Sequence, residues 1–72
     1  MDLGTAIAKA QEHLATAGYS KAMYDSHKMD GSSWVLTMKS PAVLVGYTEF
    51  TVTMDDKGTL LNLQHEYRRI GA

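Results

Sequence analysis

Hydrophobic residues in the first part of the chain recur at steps of three and four residues. The residues with this spacing are Leu3, Ile7, Ala10, Leu14 and Ala17. On an α-helix this spacing places all of them on one face. Asp2 can cap the start of such a helix, and Gly18 can end it by adopting a left-handed backbone conformation. The pattern predicts one amphipathic helix between these two residues.

After Gly18 the hydrophobic period changes to two, which is typical of strands with one buried face. The hydrophobic pattern from Ala22 to Lys28 does not indicate one type of secondary structure. The Asp30-Gly31 pair that follows this segment indicates a turn. Three alternating segments follow. Their positions on one face are Trp34, Leu36 and Met38, then Phe50, Val52 and Met54, and finally Leu61, Leu63, His65 and Tyr67. Ser40-Pro41 should end the first of them, and Asp55–Gly58 should form a hairpin turn with a positive φ at its glycine.

These elements predict a single α+β domain over residues 1–72, with the order α-β-β-β-β. The N-terminal helix should pack on one face of a three- to four-stranded antiparallel meander. The predicted core consists of Leu3, Ile7, Leu14, Trp34, Leu36, Met38, Phe50, Val52, Met54, Leu61 and Leu63. A chain of this size buries only about 60% of its unfolded surface, so its stability should be modest. A homodimer joined at an edge strand or at the open face of the sheet is therefore expected.

The composition and net charge of the chain disfavour several classes of function for this protein. Seven basic and eight acidic residues give a net charge of −1, which disfavours a nucleic-acid-binding domain. The chain has no cysteine, so it can form neither a disulfide nor a thiolate zinc site, and this fits a reducing compartment. No segment approaches the roughly 18 apolar residues of a membrane span. Met1–Ala17 lacks the basic start of a secretory signal, and a cytoplasmic location is expected.

Candidate catalytic and metal-binding residues do not form recognisable motifs. His13, His27 and His65 fall on three different predicted elements, without the i, i+4 spacing of a metal clamp. Asp55 and Asp56 are adjacent in a turn, where an aspartate bonds its own backbone. The serines lack a Gly-x-Ser-x-Gly frame, and no phosphate-binding loop is present. We expect no enzyme activity, no cofactor and no metal. An enzyme would require His65 or His13 to meet a carboxylate in a cleft.

An apolar run from Pro41 to Tyr47 occupies what should be a polar connection between strands. It could begin the long strand, with a bulge at Gly46, and be buried on both sides. Alternatively it could be an exposed apolar surface that binds a partner or a second copy. The second interpretation makes this run the best interaction candidate. Its partner-binding residues would be Val43, Leu44, Val45 and Tyr47.

A second function class is a small-molecule binder that uses the groove between helix and sheet. The residues expected to line this groove are Tyr19, Trp34, His65 and Tyr67. Trp34 opens a strand just after a turn, so it can be a core residue whose indole N–H reaches an acceptor at the rim. It can also serve as a platform for a ligand.

Several segments resemble PepSY-like domains, which pair an N-terminal helix with a W-x-V strand and an acidic D-x-x-G hairpin. The matching segments are Ala17-Gly18, Trp34–Thr37, Tyr47–Met54 and Asp55–Leu60. The tail Glu66–Arg69 is also similar to gas-vesicle O-type proteins, which have a Tyr/Arg-rich end after such a hairpin. The resemblance implies this fold and a non-catalytic, partner-binding module. It carries over no functional residues.

Overall fold

A computed structural model of the protein describes residues 1–41 and 44–70. It contains one helix and four strands: α1 (Leu3–Thr16), β1 (Met23–Asp30), β2 (Ser33–Lys39), β3 (Gly46–Met54) and β4 (Leu60–Arg69). The strands form one sheet in the order β1-β2-β3-β4, and every neighbouring pair is antiparallel. The predicted α+β meander is confirmed, and the ambiguous segment is a full strand.

Both ends of α1 are capped by the residues that the sequence indicated. The Asp2 carboxylate accepts a hydrogen bond of 2.8 Å from the Thr5 backbone N–H. At the other end Gly18 has a φ of 101°. Its N–H bonds to the Ala15 carbonyl, and the Tyr19 N–H bonds to the Leu14 carbonyl at 2.8 Å. This pair of bonds is a Schellman motif, and it turns the chain toward the sheet.

The helix buries a narrow stripe that includes Ala6, rather than the whole predicted face. Ala6, Ala10 and Leu14 are fully buried. Leu3 and Ile7 are only partly covered, and Ala17, which was predicted on the buried face, is exposed. Two alanines at the contact allow the helix to approach the strands closely, because there is little side chain to separate them.

The core lies on the helix-covered face of β2 and β3. Five side chains from these two strands are essentially inaccessible to solvent: Leu36, Met38, Phe50, Val52 and Met54. The register explains this, since Leu36 faces Val52 and Met38 faces Phe50 across the ladder. Trp34, Ile7, Leu60 and Leu63 pack around this group and are partly buried. The central strands therefore match the alternation that the sequence showed.

Each edge strand contains a β-bulge, that is, one residue more than the neighbouring strand at that point. The bulge in β4 changes which of its leucines faces the core. Thr53 pairs with Asn62, whereas Met54 pairs with Leu60. Leu61 is thus the extra residue of a bulge, and it is 57% exposed. Leu60 takes the position on the covered face instead, because a shift of one residue moves a side chain to the opposite face. The prediction of Leu61 as a core residue was wrong for this reason.

The β3–β4 hairpin is held by Asp55 and is tied to the helix by a histidine. One carboxylate oxygen of Asp55 accepts hydrogen bonds of 2.9 Å from the backbone N–H groups of Lys57 and Thr59. Gly58 has a φ of 84°, as predicted. His13 Nε2 donates a hydrogen bond of 2.8 Å to the Gly58 carbonyl, so this imidazole joins α1 to the hairpin.

Stability should fall in acid because of the carboxylate in this turn. Hydrogen bonds from Thr59 first, and also from Lys57, hold the pKa of Asp55 below 3.8. A folded-state pKa below the unfolded one gives stabilisation that is complete above the unfolded pKa and is lost as pH falls through the folded one. Asp55→Asn keeps an acceptor oxygen but removes the titration, so we expect a flatter loss of stability below about pH 4.

Urea unfolding at a series of pH values measures this effect. The matched control is Asp56→Asn, which removes the same charge from the next residue but leaves both hydrogen bonds to Asp55 in place. An equal flattening in the two variants would contradict the proposed role of Asp55.

Candidate functional site

In the described part of the apolar run, Pro41, Leu44 and Val45 are exposed, whereas Gly46 is buried and Tyr47 is partly buried. Leu44 and Val45 lie in a turn, and β3 begins only at Gly46. The Leu44 side chain is 96% exposed, and its backbone has a φ of 57°. The interpretation of a strand start buried on both sides is therefore wrong for these two residues. Val43 lies outside the described residues.

Ile70 joins this exposed turn from the other end of the chain. Its backbone N–H donates a hydrogen bond to the Val45 carbonyl, which continues the β3–β4 ladder one pair beyond Gly46 and Arg69. The continued register places the side chains of Val45 and Ile70 next to each other, and both are about half exposed. Sequence analysis missed Ile70. Alternation alone places Ile70 with the polar residues of β4, so only the strand pairing indicates it.

Tyr67 covers the first residue of β3. Its side chain is 59% exposed, and it lies against Gly46, where an added Cβ would collide with the Tyr67 ring and approach the Arg68 carbonyl to 2.5 Å. Four apolar side chains therefore lie at one end of the sheet, with Tyr67 on the helix-covered face and Val45 and Ile70 on the open face. We call this group the apolar end: Leu44, Val45, Tyr67 and Ile70.

A charged network borders the apolar end on the open face of the sheet, opposite the helix. Arg68 Nη2 lies 3.2 Å from a carboxylate oxygen of Glu49 and 3.4 Å from one of Glu66. Tyr47 pairs with Arg68 in the ladder, and the ammonium group of Lys39 lies 5.2 Å from the centre of its ring. Tyr47 thus contacts the network, and it lies on the same face of the sheet as Val45 and Ile70.

Lys39 has its own partner in this network. Its ammonium group is 3.2 Å from a carboxylate oxygen of Asp25, the bulge residue of β1. The hydrogen bond to Asp25 raises the pKa of Lys39. Exposed pairs of this kind contribute little to stability, so the main effect of the network is a polar rim with alternating charges.

The four residues predicted to line one groove are divided between two places. The Tyr19 ring packs on Phe50, with 4.6 Å between ring centres, and lies 6.1 Å from the His65 ring. Trp34 pairs with Met54 in the ladder, whereas His65 pairs with Phe50. Four residues along β3 separate these positions by about 13 Å. The structure therefore brings Tyr19 and His65 together, whereas Trp34 lies apart from them.

Trp34 belongs instead to an aromatic cluster beside β1. Its indole stacks on the His27 imidazole, with 5.8 Å between the ring centres. The Tyr24 hydroxyl is hydrogen-bonded to His27 Nδ1 at 2.7 Å. Tyr24 and His27 are three residues apart, and they share a face only because Asp25 is an extra residue in the strand. Sequence analysis missed this cluster, since a period of two does not show a bulge.

The histidines lie in three separate environments: His13 at the hairpin, His27 beside Trp34, and His65 beside Tyr19. Within residues 1–41 and 44–70, none of them forms an ion pair with a carboxylate. The same residues contain no group of three or more potential ligands that could hold a metal ion.

No protein-family model, no curated protein and no solved structure matches this chain. Among the described residues, no helix has the length and hydrophobicity needed to cross a membrane.

Proposed function

We propose that this chain is a small non-catalytic protein-interaction module, PepSY-like in its helix and meander, whose contact surface is the apolar end. Leu44 carries the proposal. A leucine in the left-handed region costs about 1 kcal/mol, and its side chain, at 96% exposure, gains almost no burial in the isolated domain. Burial of this side chain against a partner would contribute about 2 kcal/mol.

The surroundings of Leu44 support a protein partner. Val45, Tyr67 and Ile70 add three partly exposed apolar side chains at the same end of the sheet. The ion pairs of Arg68 lie next to them on the open face. An apolar centre with a polar rim is the usual arrangement in interfaces between proteins, where tyrosine is also enriched.

The separate environments of the three histidines support a non-catalytic role, because general acid–base chemistry needs titratable groups that converge on one site. We propose that the module is located in the cytoplasm. A chain with no cysteine does not depend on an oxidising compartment for its folding.

Sedimentation equilibrium of the 72-residue chain tests the proposal, with a second copy as the partner. We expect a dimer, and we expect Leu44→Asp to raise its dissociation constant by about 1000-fold, because the burial of two leucines is lost, one from each copy. The matched control is Leu61→Asp, which places the same charge on another exposed leucine, in the bulge at the far end of β4. A monomeric wild type, or equal effects of both substitutions, would contradict the proposal.

Leu44→Gly separates the effect of the side chain from that of the backbone. Glycine adopts a positive φ without strain, so the isolated domain should be as stable as the wild type or more stable. The dimer should nevertheless be weaker, because the exposed apolar side chain is gone. Urea unfolding of dilute protein measures the first effect, and sedimentation measures the second.

A further inference from the structure

We infer that a second copy of this chain pairs with the β4 edge as an antiparallel strand, in the register that places Tyr67 opposite the partner's Tyr67. This inference rests on the proposed function, because it assigns the partner and the geometry of the same contact surface. The two sheets would join into one, related by a twofold axis through the Tyr67 pair.

The two edge strands of the sheet, β1 and β4, differ in how well they can form hydrogen bonds to a strand of a second copy. In β1 the bulge at Asp25 interrupts the middle of the strand, since Tyr24 pairs with Met38 but Ser26 pairs with Thr37. In β4 the bulge at Leu61 is next to the start, and residues 62–69 remain in continuous register with β3. A bulge disturbs the hydrogen-bonding edge, so β4 is the edge that can accept another strand.

The hydrogen-bond pattern of the ladder shows which backbone groups of β4 are free to bond a partner. Ile70 donates its N–H inward to Val45, while Thr48 of β3 exchanges bonds with Ser40 on the β2 side. Even-numbered residues of β4 therefore bond inward, and the odd-numbered residues direct their N–H and C=O groups to the edge. These outward residues are Leu63, His65, Tyr67 and Arg69.

Charge complementarity then selects the register. A twofold axis at Glu66 would place two glutamates directly opposite each other, and like charges in this position are destabilising. An axis at Tyr67 places Glu66 opposite the partner's Arg68, and the reverse pair forms by symmetry. Within one chain Arg68 is shared by Glu49 and Glu66, and these two carboxylates face each other across the ladder. The partner's guanidinium would meet this surplus of negative charge.

The same register covers exposed apolar surface. The two Tyr67 rings, each 59% exposed in the single chain, would lie side by side at the axis, where aromatic pairs add to the stability of a sheet. Ile70 would lie opposite the partner's Gln64. Ile70 is hydrogen-bonded to Val45, so the exposed turn that contains Leu44 adjoins the end of the β4 edge.

Single-cysteine crosslinking tests the register directly, because the chain contains no cysteine of its own. We expect Tyr67→Cys to form a disulfide-linked dimer on mild oxidation, since Cα atoms of a hydrogen-bonded antiparallel pair lie about 5.5 Å apart. The matched control is His65→Cys, whose two copies would lie about 13 Å apart in this register. Ser26→Cys reports on the β1 edge.

Crosslinking at His65→Cys instead of Tyr67→Cys would overturn the register, and crosslinking at Ser26→Cys would overturn the choice of edge. If none of the three variants crosslinks while the wild type still forms a dimer that depends on Leu44, the β4 pairing is wrong but the proposed function stands. A monomeric wild type would overturn both.

Charge exchange provides an independent readout. Glu66→Arg and Arg68→Glu should each weaken the homodimer by about tenfold, because each places like charges opposite one another. Mixing the two variants should restore association, since one partner then supplies two arginines and the other two glutamates. Failure of the mixture to associate more tightly than either variant alone would overturn the proposed register.

Discussion

Replacing Phe50 with alanine is expected to destabilise the domain by about 3–5 kcal/mol, leaving a large part of the chain unfolded at 25 °C. Phe50 is the largest of the fully buried side chains. It lies in the central part of β3, faces Met38 across the ladder, and supports the Tyr19 ring that follows the helix. Removal of its ring would leave a cavity where helix and sheet meet, and small domains have little stability in reserve.

Urea unfolding followed by the fluorescence of Trp34, the single tryptophan, measures this loss. Phe50→Leu should cost less, about 1.5 kcal/mol, because most of the apolar volume is kept. Leu61→Ala is the control, since that side chain lies in the exposed bulge and should change stability by about 0.5 kcal/mol or less. A cost below 1 kcal/mol for Phe50→Ala would mean that the helix does not cover this face of β3.

The helix, the meander and the central core could be predicted because each depends on local periodicity. The change from steps of three and four to strict alternation occurs at Gly18, where the structure has a left-handed residue and a Schellman motif. Phe50, Val52 and Met54 alternate without interruption, and they are all buried. In these segments local sequence preference and tertiary packing favour the same conformation.

The bulges could not be predicted, because an additional residue in one strand leaves the composition of the segment unchanged. Whether Leu60 or Leu61 faces the core depends on how β4 pairs with β3, which is a non-local property. The same holds for β1, where the bulge at Asp25 brings Tyr24 and His27 to one side, next to Trp34. The error at Leu61 and the missed pair of Tyr24 and His27 can be traced to these two bulges, whereas the exposed Ala17 lies just beyond the end of α1.

The candidate site could be predicted only in part. Hydrophobicity alone marked the run that contains Leu44 and Val45, but a continuous apolar segment is compatible with burial as well as with exposure. The hydrogen bond that brings Ile70 to Val45 arises from strand pairing, and the positive φ of Leu44 is a backbone conformation that is rare for residues other than glycine. Neither leaves a signal in the adjacent residues.

Gly46→Ala is expected to destabilise the domain by about 3 kcal/mol, the largest effect we expect from adding a single methyl group. The methyl group would collide with the Tyr67 ring and lie 2.5 Å from the Arg68 carbonyl, which is backbone and cannot rotate away. The matched control is Gly4→Ala in the helix, where the nearest heavy atom is 3.7 Å away. That substitution should stabilise the domain by about 0.5 kcal/mol through helix propensity.

A double mutant divides the cost of Gly46→Ala between its two causes. Adding Tyr67→Ala removes the ring but leaves the Arg68 carbonyl in place, so we expect it to recover only part of the stability in urea unfolding. Full recovery of the stability would mean that the backbone at Arg68 can move away from the methyl group. No recovery would mean that the Tyr67 ring already moves aside in the Gly46→Ala variant. Because Tyr67 is also the residue placed on the twofold axis, Gly46→Ala should weaken association even under conditions in which the monomer remains folded.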